Sequence, residues 1–122
     1  MTALKLRVLF DGVVIGPGKA DLLARIRDTG SIAAAGRQME MSYKRAWMLV
    51  EEMNAAFATP LVASARGGQG GGGAQLTEAG AKVLRLYRDV VAKAEEAAAE
   101  PLQVMERMLR EKLYRVLVVL VG

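Results

Sequence analysis

Residues 31–57 read SIAAAGRQMEMSYKRAWMLVEEMNAAF, and two serines divide them. Ser31 and Ser42 each stand before a helix-forming run, where a hydroxyl can accept the free N–H groups of a first turn. The first run, Ile32 to about Met39, is short and built from Ala33, Ala34, Ala35 and Gly36. The second, to about Phe57, carries an apolar seam at Ala46, Val50, Met53 and Phe57, the spacing of one helix face. Two helices joined by a tight turn make a helix-turn-helix when one can cross the other closely. Gly36 is the small crossing residue, Met39 and Met41 are the apolar anchors of the turn, and Ala46 is the buried residue one turn in. The turn position where glycine is usual is here Glu40.

Outward from this centre the pattern changes. Leu4, Leu6, Val8 and Phe10 alternate with Lys5 and Arg7, a half-buried strand, and Asp11-Gly12 turns it into Val13-Val14-Ile15. Gly16-Pro17-Gly18 breaks the chain, and a helix is expected from Lys19 with Leu22, Leu23 and Ile26 on one face, ending at Thr29-Gly30. Beyond Thr59-Pro60, Leu61-Val62-Ala63 and Ala74-Gln75-Leu76 read as short strands on either side of a glycine run, residues 67–73. That is the outline of a wing. Thr77 caps a long helix to about Glu100, stopping before Pro101, and another is expected over Leu102 to Leu113. On the long helix Val83, Tyr87, Val90, Ala94 and Ala97 form a helix–helix seam, and Leu84, Leu86 and Val91 add a second strip. A helix with two apolar faces needs two partners, which points to self-association. The segment from Tyr114 to Gly122 is apolar and β-branched, with no place assigned.

Composition narrows the chemistry. The chain holds 122 residues, enough for one compact domain, and has neither cysteine nor histidine. Disulfides, thiolate or imidazole metal sites, Ser-His triads and Cys-His dyads are therefore excluded. No carboxylate or lysine cluster takes their place, so no enzyme and no cofactor is expected. The longest apolar run, Val116 to Val121, is too short to span a bilayer, and no signal peptide opens the chain. The expected compartment is the cytoplasm. A net charge of +4 is compatible with nucleic acid without requiring it.

The basic residues are distributed unevenly. The outward N-terminal face of the second helix reads Tyr43, Lys44, Arg45, Trp47 and Met48. Such a face can enter the major groove, where Arg and Lys meet guanine edges or phosphates and apolar groups meet thymine methyls. The helix N-terminus at Ser42 can hold a backbone phosphate. The alternative is a small helical bundle whose basic face is merely solvated. Trp47 lies off the seam, so it reads equally as a core aromatic or as part of the exposed face. The glycine run matches a dinucleotide fingerprint only as any glycine run does, and no second βαβ half accompanies it. As a wing tip it would bring Arg66 and Gln69 to a phosphate backbone; as a linker it would do nothing. Lys82, Arg85 and Arg88 read as a solvated helix face or as phosphate contacts.

These residues carry a resemblance. Gly30-Ser31-Ile32, Ser42-Tyr43-Lys44-Arg45-Ala46-Trp47, Glu52-Met53-Asn54, Leu61-Val62, the glycine stretch through Ala74, and Leu76-Thr77-x-x-Gly80 stand in the order and spacing of the ModE family. The likeness, over about residues 4–100, is to the N-terminal DNA-binding domain of these molybdate-responsive transcriptional regulators. Leu-Thr-x-x-Gly is shared more widely with winged-helix regulators of the LysR type. The resemblance implies a mainly α fold with small β elements: a winged helix-turn-helix with an N-terminal β-hairpin and a long C-terminal dimerisation helix. It implies a homodimer on double-stranded DNA, binding palindromic operators of molybdenum-related genes. Ser31, Ser42, Tyr43, Lys44, Arg45, Trp47, Arg66 and Gln69 are then the DNA-binding residues. The domain would run over 1–100, with its dimerisation helix at about 77–100, and residues 101–122 would be a C-terminal helix and apolar tail. Regulators of this family usually continue into molybdate-binding β-barrels, for which a chain ending at Gly122 has no room. A stand-alone DNA-binding member is expected, and direct molybdate binding is in doubt. The rival function is a dimeric interaction module of winged-helix ancestry without specific DNA binding.

Overall fold

The computed structural model describes residues 3–65 and 73–110. Two short strands, β1 (Val8–Phe10) and β2 (Val13–Ile15), form an antiparallel hairpin closed by Phe10 opposite Val13. Gly12 takes φ 100° at the turn, a left-handed value that glycine adopts without a Cβ penalty. The ladder is shorter than the alternation suggests because its partner strand has only three residues. The alternation itself persists upstream, with Leu4 and Leu6 half-buried and Lys5 and Arg7 exposed.

Helix α1 (Pro17–Thr29) begins two residues before the expected Lys19. Pro17 occupies the first position, where its missing N–H would have had no partner. Gly30 ends the helix at φ 71°, its N–H bonded to the Ile26 carbonyl at 2.8 Å. Leu22, Leu23 and Ile26 are fully buried, and α1 is the hub on which the other elements pack.

The helix-turn-helix follows as α2 (Ile32–Gln38) and α3 (Tyr43–Ala56). Both expected caps are in place: Ser31 Oγ accepts the Ala34 N–H and Ser42 Oγ accepts the Arg45 N–H, each at 3.1 Å. A Cβ added at Gly36 would stand 3.0 Å from the Ala46 Cβ, so the crossing of the two helices needs both residues small. Glu40 sits in the turn at φ 57°, the left-handed conformation that glycine would take without strain.

Strands β3 (Val62–Ala65) and β4 (Gly73–Leu76) form the second antiparallel hairpin, the wing. Helix α4 (Glu78–Ala97) follows directly, capped by Thr77, whose Oγ1 accepts the Gly80 N–H at 3.0 Å. The Leu-Thr-x-x-Gly element acquires a physical meaning here. Leu76 pairs with Val62, the Thr77 N–H binds the Leu61 carbonyl at 2.9 Å, and Gly80 lies against that same carbonyl. A Cβ at Gly80 would come within 2.0 Å of the Leu61 oxygen.

The C-terminal helices depart from the sequence reading. The long helix ends at Ala97 rather than Glu100, and α5 (Ala99–Met108) starts ahead of Pro101 instead of after it. In one continuous helix the Pro101 ring would meet the Ala97 carbonyl. The break at Ala98 moves the proline into a first turn, where it lacks nothing. Helix α5 also ends sooner than Leu113, with Leu109 as its C-cap. The apolar segment 114–122 lies outside the described residues.

Helix α4 buries Gly80, Leu84 and Tyr87, with Val83 and Val91 partly covered, so the face toward the core draws on both expected strips. Tyr87 donates its hydroxyl to the Leu6 carbonyl at 2.6 Å, and burial raises its pKa above the usual phenol value. Leu86 and Val90 remain about half exposed.

Candidate nucleic-acid interface

Helix α3 separates its two faces cleanly. Ala46, Val50 and Met53 are at most 1% exposed and fix the helix to the core. Tyr43, Lys44, Arg45, Trp47 and Met48 all face solvent at its N-terminal end. The two readings of Trp47 are thereby decided. Its ring is 38% exposed and stands edge-on to Tyr43, with centroids 6.4 Å apart, and its Nε1 donates to the Tyr43 hydroxyl. The aromatic pair is thus held by two contacts across one helical turn.

The first turn of α3 carries cations only. No acidic residue occupies the first turn of α3, and neither Lys44 nor Arg45 is ion-paired with any described residue. The helix N-terminus adds its own positive partial charge and free N–H groups. On α1, by contrast, cations are answered: Lys19 bonds Glu52 at 3.0 Å and the Val14 carbonyl at 2.9 Å, and Arg25 bonds Asp21 at 3.0 Å. Ser31 opens α2 half-buried, its hydroxyl committed to the cap and its N–H bonded to Thr29 Oγ1 at 3.2 Å.

The wing is tied at both roots. Asn54, near the end of α3, accepts the Leu61 and Val62 N–H groups through Oδ1 at 2.8 and 3.1 Å, and donates Nδ2 to the Val62 carbonyl at 3.0 Å. On the return strand the Ala74 N–H binds the Gly30 carbonyl at 2.9 Å. A Cβ at Gly73 would be only 3.3 Å from that carbonyl, so the close approach favours glycine there. One wing strand is therefore fixed to α3 and the other to the bend between α1 and α2. Arg66 and Gln69 lie outside the described residues. Asn54 is the positioning residue that the sequence reading passed over, although it ends the Glu52-Met53-Asn54 element. An amide on a helix reads as solvated until its backbone partners are known.

A two-helix turn with an exposed basic N-terminal face, followed by a β-hairpin packed at its side, defines a winged helix-turn-helix. Comparison with known proteins gives the family. Residues 19–81, just over half of the chain, match the bacterial regulatory helix-turn-helix proteins of the lysR family, and the chain belongs to that family. It is 49% identical over 76 residues to the molybdenum-pterin-binding protein MopB of Rhodobacter capsulatus, covering 62% of this chain and 28% of that protein. It is 39% identical over 87 residues to the transcriptional regulator ModE of Yersinia pestis, covering 71% and 33%. With the DNA-binding transcriptional dual regulator ModE of Escherichia coli (strain K12) it shares 40% over 86 residues, covering 70% and 32%. The resemblance to ModE-type regulators read from the motifs is upheld. The chain spans about a third of the length of these relatives.

No group of three or more acidic side chains that would hold a metal occurs among the described residues. No described helix is long and apolar enough to cross a membrane.

Proposed function

We propose that this chain is a sequence-specific DNA-binding transcriptional regulator, acting in the cytoplasm as a homodimer on palindromic operators of molybdenum-related genes. The observation that carries the reading is the basic end of α3, with Lys44 and Arg45 exposed beside the Tyr43–Trp47 pair and ion-paired with no described residue. Lys44 and Arg45 read base edges or grip phosphates, Tyr43 and Trp47 supply apolar contact, and the capped starts of α2 and α3 at Ser31 and Ser42 receive backbone phosphates. Arg66 and Gln69 are assigned to the wing's contact with the backbone. The names of the relatives support the link to molybdenum, and nothing in this reading gives the described residues a molybdate site or a catalytic role.

The homodimer is supported by apolar surface that the single chain leaves uncovered. Val8, Phe10, Ile15, Phe57, Val83, Leu86, Tyr87 and Val90 line a concavity of about 180 Å³, and Phe10, Leu86 and Val90 are each about half exposed. A two-fold dimer through α4 would cover this surface and place two α3 helices on half-sites about one helical turn, or a multiple of it, apart.

Selection of bound duplexes from a random pool by the purified protein tests the reading. An enriched inverted repeat is the expected result, and Lys44→Ala or Arg45→Ala should weaken binding to it by about 1–3 kcal/mol. Folded dimer that enriches no sequence would instead identify an interaction module of winged-helix ancestry.

A further inference from the structure

Away from α3, a second group of cations converges. Arg85 and Arg88 are one turn apart on α4, and Arg27 lies in the last turn of α1, which packs against α4. Together they line a concavity of about 260 Å³ whose remaining wall is Leu76, Ala81 and Leu84. Its position in the fold is the root of the wing. Leu76 is the last residue of β4, and Arg27 stands three residues before Gly30, whose carbonyl holds the returning strand.

The charge there is poorly answered. Asp28 is the acid beside the cluster, and its carboxylate takes the Arg27 Nε at 2.9 Å. The hydrogen bond from Arg27, followed by the charges of Arg27 and Arg88, holds the Asp28 carboxyl below its ordinary range. Three guanidinium groups against one carboxylate leave a net charge of +2. Asp89, the next acid along α4, is engaged by Lys93 at 3.0 Å. Arg85 and Arg88 have no ion pair or side-chain hydrogen bond with any described residue. Gathered guanidinium groups repel one another unless an anion joins them, and their planar forks match the oxygens of a phosphate group.

We propose that Arg27, Arg85 and Arg88 form a binding pocket for a tetrahedral oxyanion, namely a phosphate group. The phosphate comes either from the backbone of DNA flanking the wing or from free phosphate. The first source rests on the DNA-binding reading above; the second does not.

The test compares the full chain with Arg85→Gln/Arg88→Gln and with Lys82→Gln. Lys82 is an exposed cation of the same helix that does not line the pocket. Thermal unfolding is followed in sodium phosphate and in sodium chloride at matched ionic strength. Binding of free phosphate raises the melting temperature of the parent and of Lys82→Gln with phosphate concentration, and the rise is absent from the double variant. In the second arm, duplex affinity is measured against salt. Contact with one DNA phosphate makes the double variant lose about 0.9 from the slope of log K against log salt, while Lys82→Gln loses none. Either result supports the pocket and names its source. A double variant that matches Lys82→Gln in both arms overturns the proposal and leaves a solvated helix face. Phosphate stabilisation that survives in the double variant, without the loss of slope, overturns it also. A parent that binds no duplex refutes the DNA reading alone, and the phosphate arm then decides.

Discussion

Gly80→Ala sets two effects of opposite sign against each other, and the structure decides between them. Position 80 is the third residue of α4, and alanine is favoured over glycine inside a helix by about 1 kcal/mol. Helix preference alone therefore predicts a more stable protein. The new methyl carbon, however, would stand 2.0 Å from the Leu61 oxygen and 2.9 Å from its carbonyl carbon, where ordinary contact begins near 3.4 Å. The obstacle is backbone, not the end of a side chain that could swing away. Helix α4 and the Leu61 strand entry must part by more than an ångström, which costs about 1–3 kcal/mol as overpacking. The Thr77 N–H bond to the same carbonyl is stretched with it, at about 1 kcal/mol more. The expected net loss is about 2 kcal/mol, a fall of roughly 6–10 °C in melting temperature for a domain of this size. Urea unfolding followed by far-UV circular dichroism measures it directly. A Gly80→Ala protein that unfolds at the same or higher urea concentration would refute the argument from close approach.

Three further outcomes follow from particular residues. Asn54→Ala removes one acceptor and one donor that hold Leu61 and Val62, so stability should fall by about 1–3 kcal/mol and duplex affinity with it; unchanged urea and anisotropy midpoints would show that the wing root does not depend on this amide. Glu40→Gly relieves a left-handed residue at about 1–2 kcal/mol while giving back about 0.5–1 kcal/mol of chain entropy, so the melting temperature should rise by a few degrees; a decrease would contradict it. Tyr87 has a folded-state pKa above its unfolded value of 10.0, so its stabilisation is complete below pH 10 and is lost as pH rises through the folded value. Tyr87→Phe should remove that alkaline loss, and an identical pH profile above 10 in parent and variant would count against it.

The parts of this fold that were legible in the sequence are those set by near neighbours. Ser31, Ser42 and Thr77 cap helices through hydrogen bonds that span three residues, so a hydroxyl before an apolar-periodic run was sufficient. Gly36 was readable as the small crossing residue and Ala46 as the buried residue one turn into α3; that the two meet, with a Cβ at Gly36 only 3.0 Å from the Ala46 Cβ, came from the packing. Pro101 misled, because proline is equally at home just past one helix and just inside the next. Only the crowding of its ring against the Ala97 carbonyl selects the break at Ala98. The amide of Asn54 and the meeting of Arg27 with Arg85 and Arg88 were not legible. Their partners are seven or eight residues away in the first case and about sixty in the second, brought together by packing that no local pattern encodes. The apolar strips of α4 were visible, but not that the core would take residues of both, Val83 and Tyr87 from one and Leu84 and Val91 from the other.

The two anchored roots of the wing have a consequence for what a bound duplex must look like. Because β3 is held by Asn54 of α3 and β4 by the Gly30 carbonyl, the hairpin cannot swing without breaking hydrogen bonds at one root or the other. On the proposed DNA-binding reading, α3 and the hairpin act as the jaws of a calliper set to one opening. A duplex whose groove is too wide or too narrow for that opening must itself deform, at an energy that depends on base steps no side chain touches. Discrimination among operators would therefore include their stiffness, and base pairs between the two jaws would matter without being read.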